Sequence, residues 1–153
     1  MPVYVIPPPA HYQVSDGYAA AQGCRTVAEP LAYSQCENRL SQGYKTVADK
    51  SPAYFLGFTI AVLARADQME QQFRAAPPSP EAQRNIGVAT NLAITGRLIV
   101  EMAARKDGVS EADLPTVIFR TSAMPEARWA YWRAKPVPDW LARQAAQADK
   151  ARP

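Results

Sequence analysis

Two dipeptides, Ser51-Pro52 and Ser79-Pro80, constrain the fold more than any other feature of the chain. A serine hydroxyl placed just before a helix accepts a hydrogen bond from a backbone N–H of the first turn. A proline at the first helical position gives up no hydrogen bond and already holds a helical φ. Each pair therefore predicts a helix start, and neither is followed by another proline for more than twenty residues. The linker Ala76-Pro77-Pro78-Ser79-Pro80 separates two long helical stretches, 51–76 and 79–106.

In the first stretch, Phe55, Phe58, Val62, Ala66, Met69 and Phe73 recur at steps of three and four, and Leu56, Ile60 and Leu63 widen the apolar face. Arg65, Asp67, Gln68, Glu70, Gln71, Gln72 and Arg74 fill the second half. This helix is expected to begin in the core and end near solvent, with Asp67 and Glu70 solvated. In the second stretch, Val88, Leu92, Thr95, Ile99 and Met102 form one seam. Ile86, Ala89, Ala93, Gly96, Val100 and Ala103 form another, of mostly small residues that let a neighbouring backbone come close. A helix apolar on nearly every side is a central one. Lys106-Asp107-Gly108 supplies its stop.

The remaining segments are shorter. Ser15-Asp16 caps a helix including Tyr18–Gln22. Near residue 29 a second begins, with Tyr33, Cys36, Leu40, Tyr44 and Val47 on one face and Gly43 within it at a close helix approach. Ser110–Asp113 resembles the opening of a very short helix ended by Pro115. Thr116-Val117-Ile118-Phe119, β-branched and aromatic, reads as a locally extended apolar strip. Pro125–Lys135 and Asp139–Lys150 read as two short helices. Before all of these, Val3–Ile6 and Pro7-Pro8-Pro9 make an extended arm. The expected fold is all-α: a four- to five-helix bundle around central helix 79–106. The arm spans 1–14, the bundle domain 15–135 and a C-terminal helix or tail 136–153.

With 153 residues, 48% apolar and 20% charged, the chain has the size and composition of one globular domain. Charge is uneven. Residues 120–153 carry seven Lys/Arg against three Asp/Glu, a net of +4, while residues 1–119 carry ten against eleven, a net of −1. Cys24 and Cys36 match neither a zinc knuckle nor a C-x-x-C redox motif. They read either as one disulfide in an oxidising compartment or as two buried thiols. No secretory signal is visible at Met1–Ala10, which favours the cytoplasm; a periplasmic location follows if the sequence is a mature form. The longest apolar run, 53–64, is too short to span a bilayer.

Catalytic chemistry finds little support. The sole histidine, His11, lies in the proline-rich arm, away from any nucleophile it would need to activate. No Glu-x-x-His pair suggests a di-metal bundle, and Val109 breaks the ligand spacing of an EF-hand loop at 106–113. Asp67 with Glu70 or Glu101 are the candidate paired carboxylates, and their helical positions place them at the surface. No glycine-rich phosphate loop is present. The expectation is therefore no catalytic residue, no cofactor and no metal.

Binding has more behind it. The arm residues Tyr4 and Ile6 and the segment residues Arg128, Trp129, Trp132, Arg133 and Trp140 are of types that dominate protein interfaces. These residues are the candidate contacts of a non-enzymatic scaffold or accessory subunit that binds other protein chains, homo-oligomers included. Two alternatives stand beside this. One is a small exported binding or immunity-type protein carrying a Cys24–Cys36 disulfide. The other is a nucleic-acid-binding subunit whose segment 120–143 interleaves cations with aromatics.

Overall fold

Both Ser-Pro signals start helices in the computed structural model, which describes residues 13–150. The Ser51 hydroxyl accepts the Tyr54 N–H at 3.1 Å, and the Ser79 hydroxyl accepts the Ala82 N–H at 3.0 Å. The described residues form eight α-helices and no strand. They are α1 (Val14–Ala21), α2 (Pro30–Ser41), α3 (Lys45–Ala48), α4 (Pro52–Ala75), α5 (Pro80–Lys106), α6 (Leu114–Ser122), α7 (Glu126–Arg133) and α8 (Asp139–Lys150). A 3-10 turn, Gln22–Cys24, follows α1. The all-α bundle expected from the sequence is present. Tyr4, Ile6, His11 and the rest of residues 1–12 lie outside the described residues, and the last two residues assigned to the arm, Gln13 and Val14, cap and open α1 instead.

The helix at the centre is α4 rather than α5. Every residue from Phe55 to Ala64 is buried, and α4 packs against α1, α2, α3, α5 and α6. Its most extensive partner is α5, which turns its small seam inward: Ala89, Ala93, Val100 and Ala103 are fully buried. A Cβ built on Gly96 would sit 3.4 Å from the Leu63 backbone, so the small residue sets the spacing of the pair. By length and composition α5 would also satisfy the requirement for a membrane span, but this face is spent on α4. The other seam, Val88, Leu92, Thr95 and Ile99, is only half-buried.

Helix α1 crosses α4 by backbone contact. A Cβ on Gly17 would lie 1.8 Å from the Tyr54 carbonyl oxygen, and one on Gly57 would lie 1.7 Å from that of Val14. Two facing glycines therefore let the helices touch at a separation that no side chain permits. Asp16, inside the first turn of α1, accepts the Gln13 N–H at 2.8 Å, so the helix begins two residues before the expected Ser15 cap.

Three local expectations are corrected. First, the inward face of α2 is Pro30, Tyr33, Glu37 and Ser41, leaving Leu40 exposed. Helix α2 ends at Ser41, and Gln42, Gly43 and Tyr44 all take positive φ (50°, 68° and 69°). Gly43 is thus a turn glycine, and a Cβ there meets nothing closer than 3.9 Å. Second, residues 116–119 are helical, within α6, because Ile118 and Leu114 one turn apart both reach the core. Pro115 opens that helix instead of ending one. Third, α4 does end near solvent, with Gln68, Gln71, Gln72 and Arg74 exposed, but Asp67 and Glu70 among them are buried, for the reason given next.

Candidate functional site

Asp67 and Glu70 lie on the inner side of α4 and are almost completely buried. Arg128 from α7 reaches both. Its Nε donates to Asp67 Oδ1 at 2.8 Å and its Nη2 to Glu70 Oε1 at 3.1 Å. Trp132 Nε1 donates to the same Asp67 oxygen at 2.9 Å, and Gln71 Nε2 donates to Oδ2 at 2.9 Å. Glu70 Oε2 accepts Tyr131 Oη at 2.7 Å and Arg74 Nε at 2.6 Å. Four carboxylate oxygens thus meet six donors. Burial alone would raise the pKa of Glu70. The hydrogen bonds from Arg74 and Tyr131 and the charges of Arg74 and Arg128 outweigh it and hold that carboxyl below its ordinary value.

This network absorbs most of the segment that sequence pattern marked for partners. Trp129 and Trp132 are buried against the helices, and the Arg128 guanidinium lies 4.1 Å from the Tyr131 ring centroid as well as on the two carboxylates. Arg133 faces Glu101 at 3.6 Å and Glu111 at 3.7 Å. Glu101 pairs with Arg97 at 3.0 Å, so it is not brought beside Asp67 as a second acid. Of the candidates in this segment, Arg133 keeps an exposed side chain and Trp140 stays outward, 60% exposed, while the next residue, Leu141, is buried. Such a network fixes α7 on α4. It leaves no oxygen of Asp67 or Glu70 free for proton transfer.

A second buried carboxyl behaves differently. Glu37 on α2 is 4% exposed, and its Oε2 has no hydrogen-bond partner among the described residues. Burial pushes its pKa up to about 7, against the opposing effect of a hydrogen bond from Tyr44. Tyr44 and Tyr33 are in turn raised, first by burial and then by the Glu37 charge. A bulky residue with φ of 69° is strained, at a cost of order 1–3 kcal/mol. The Tyr44 N–H to Ser41 Oγ bond at 3.0 Å and edge-on packing against Phe55 and Phe58, centroids 6.0 and 5.8 Å away, hold it there.

Glu37 and Tyr44 line a cleft of about 320 Å³ between α2 and α5. Its other wall is the half-buried seam of α5, Val88, Leu92, Thr95 and Ile99. The sequence showed that seam but gave it a packing role. Glu37 went unnoticed because the apolar spacing of α2 was assigned to the wrong face. The signal was there: Tyr33, Glu37 and Ser41 are themselves spaced at i, i+4 and i+8.

Cys24 and Cys36 form a disulfide with Cα atoms 6.0 Å apart, joining the 3-10 turn to α2 one residue before Glu37. Arg65 Nη2 donates to the Val27 carbonyl at 2.9 Å and ties the intervening loop to α4. Among the described residues no cluster of three or more His, Cys, Asp or Glu side chains is placed to hold a metal ion. No known protein family, curated protein or solved structure matches the chain.

Proposed function

We propose that the chain is a non-enzymatic helical binding protein whose partner is another protein chain, and that it works in an oxidising compartment. Trp140 carries the reading. A tryptophan left 60% exposed, beside a leucine anchored in the core, is a large apolar group held rigidly toward solvent. Tryptophan is the residue most enriched at interface hot spots. Phe119 and Leu31, also more than half exposed, add apolar surface on other helices. The partner is expected to offer an apolar pocket rimmed by carboxylates, since Arg143, one turn from Trp140, and Arg120 are exposed cations, whereas Arg128 and Arg133 are paired within the chain.

Two further observations support the reading. The paired carboxylates Asp67 and Glu70 are occupied by fixed donors, which favours an architectural role over acid–base work. The disulfide favours an exported setting, because such bonds persist where thiols are not kept reduced. Nucleic-acid binding is less favoured, because Trp129 and Trp132, the stacking groups it needs, are buried in the chain.

The test is native mass. Light scattering on protein isolated from its source, without reductant, is expected to show a complex well above the 16.8 kDa chain mass. Trp140→Ala is expected to release the monomer with an unchanged melting temperature. A wild-type monomer, or two free thiols by titration, would overturn the respective half of the proposal.

A further inference from the structure

The cleft between α2 and α5 differs in kind from the surface around Trp140. It is concave and bounded by two helices, at the small end of the range of about 300–1,000 Å³ usual for ligand clefts. Its α5 wall carries the apolar Val88, Leu92 and Ile99 with the Thr95 hydroxyl and the Asn91 amide among them, and Ser34 adds a hydroxyl from α2. Among the described residues its only charged lining side chain is Glu37, and none of their Lys, Arg or His side chains lines it. The carboxyl is desolvated, with one oxygen bonded by no group of the described residues. The neighbouring Tyr44 is held in a strained backbone conformation that brings it to the same wall. Strain of this kind concentrates where a site must be kept in shape.

These features select a ligand. An anion would meet a like charge and no cation. A wholly apolar ligand would cover Glu37 without giving its unpartnered, buried oxygen a donor. A protonated amine supplies both a positive charge and N–H donors, and such charge-assisted bonds are the strong ones. We propose that this cleft is a binding site for a small organic ammonium ion, its charged nitrogen on Glu37 and its compact apolar body on Val88, Leu92 and Ile99. The site is independent of the protein-binding reading and survives that reading's failure.

The test uses the full chain with its disulfide intact and two probes of matched shape, benzylamine and benzyl alcohol. Amide resonances are followed at about pH 8, where Glu37 ionises. Benzylamine is expected to shift residues of α5 between Val88 and Ile99 together with those around Glu37. It is expected to bind about ten-fold more tightly than the alcohol. Glu37→Gln keeps the shape of the side chain and is expected to erase that preference, leaving the alcohol's affinity unchanged. Leu92→Trp, which fills the cleft, is expected to abolish binding of both probes. Equal affinity for the two probes, shifts confined to other surfaces, no binding at millimolar concentration, or a preference for the amine that survives Glu37→Gln would each overturn the proposal.

Discussion

Arg128 donates to Asp67 at 2.8 Å across 61 residues of chain, and the same guanidinium also reaches Glu70. One cation therefore answers two carboxylates that would otherwise be buried side by side on one helix. Removing it leaves Asp67 without its counter-charge and Glu70 with Arg74 alone. Arg128→Ala is expected to destabilise the fold by about 3 kcal/mol, the usual scale for breaking a buried ion pair by deleting one partner. Arg128→Lys should recover only part of this, because a single ammonium cannot reproduce the two directed bonds of the guanidinium. Chemical denaturation of the three proteins measures it. Equal stability of Arg128→Ala and wild type would show that the network contributes nothing.

The two classes of buried carboxyl oppose one another as pH changes. The folded pKa of Glu37 is raised to about 7. The folded state therefore binds more protons than the unfolded state between the ordinary glutamate value and about 7, and stability falls as pH rises through that window. The full effect is on the order of 3 kcal/mol. Glu37→Gln is expected to raise the melting temperature above pH 7 and to change it little near pH 3, where the wild-type carboxyl is largely neutral in both states.

Glu70 has the opposite sign. Its folded pKa is lowered, so its contribution is present above the ordinary glutamate value and is lost as pH falls through the folded one. The two carboxyls together predict greatest stability in mildly acidic solution. A scan of melting temperature against pH is expected to peak there in the wild type. Glu37→Gln should flatten the alkaline side and leave the acidic side as it was. An unchanged alkaline limb would contradict the burial of Glu37.

Gly57→Ala is expected to detach α1. The added methyl carbon would fall 1.7 Å from the Val14 carbonyl oxygen, and backbone cannot move aside as a side chain can. A loss of about 3 kcal/mol is expected, the upper part of the usual range for overpacking. Amide exchange should show it locally, with α1 losing protection while the α4–α5 pair keeps it.

Local chemistry was legible in the sequence, and long-range pairing was not. Ser51 and Ser79 announced their helices because the groups they cap lie three residues away. The small seam of α5 announced close packing because size alone decides it. Asp67 and Glu70 looked like a solvated stretch because their donors, Arg128, Tyr131 and Trp132, arrive from a helix some sixty residues later. Residues 116–119 have strand-like composition, yet burial of Ile118 and Leu114 on one side carries them into a helix, an instance of packing overriding propensity. Glu37 was hidden by an error of helical phase: assigning Leu40 to the inside turned the carboxylate outward. The outward Trp140 was legible as a residue type, but its separation from Trp129 and Trp132 was not.

The disulfide sets the last expectation. Its cysteines are 12 residues apart. Cross-linking a loop of that size restricts the unfolded chain enough to contribute about 2–3 kcal/mol. Reduction, or Cys24→Ser with Cys36→Ser, is expected to lower stability by that amount without altering helix content by circular dichroism.

That bond also has a consequence for biogenesis. Both cysteines precede both long helices, so closing the bridge asks nothing of α4 or α5. A polypeptide delivered N-terminus first presents the two thiols to an oxidant ahead of α4 and α5. The bond can thus turn the leading third of the chain into a small preassembled hook, on which the later helices close as they arrive.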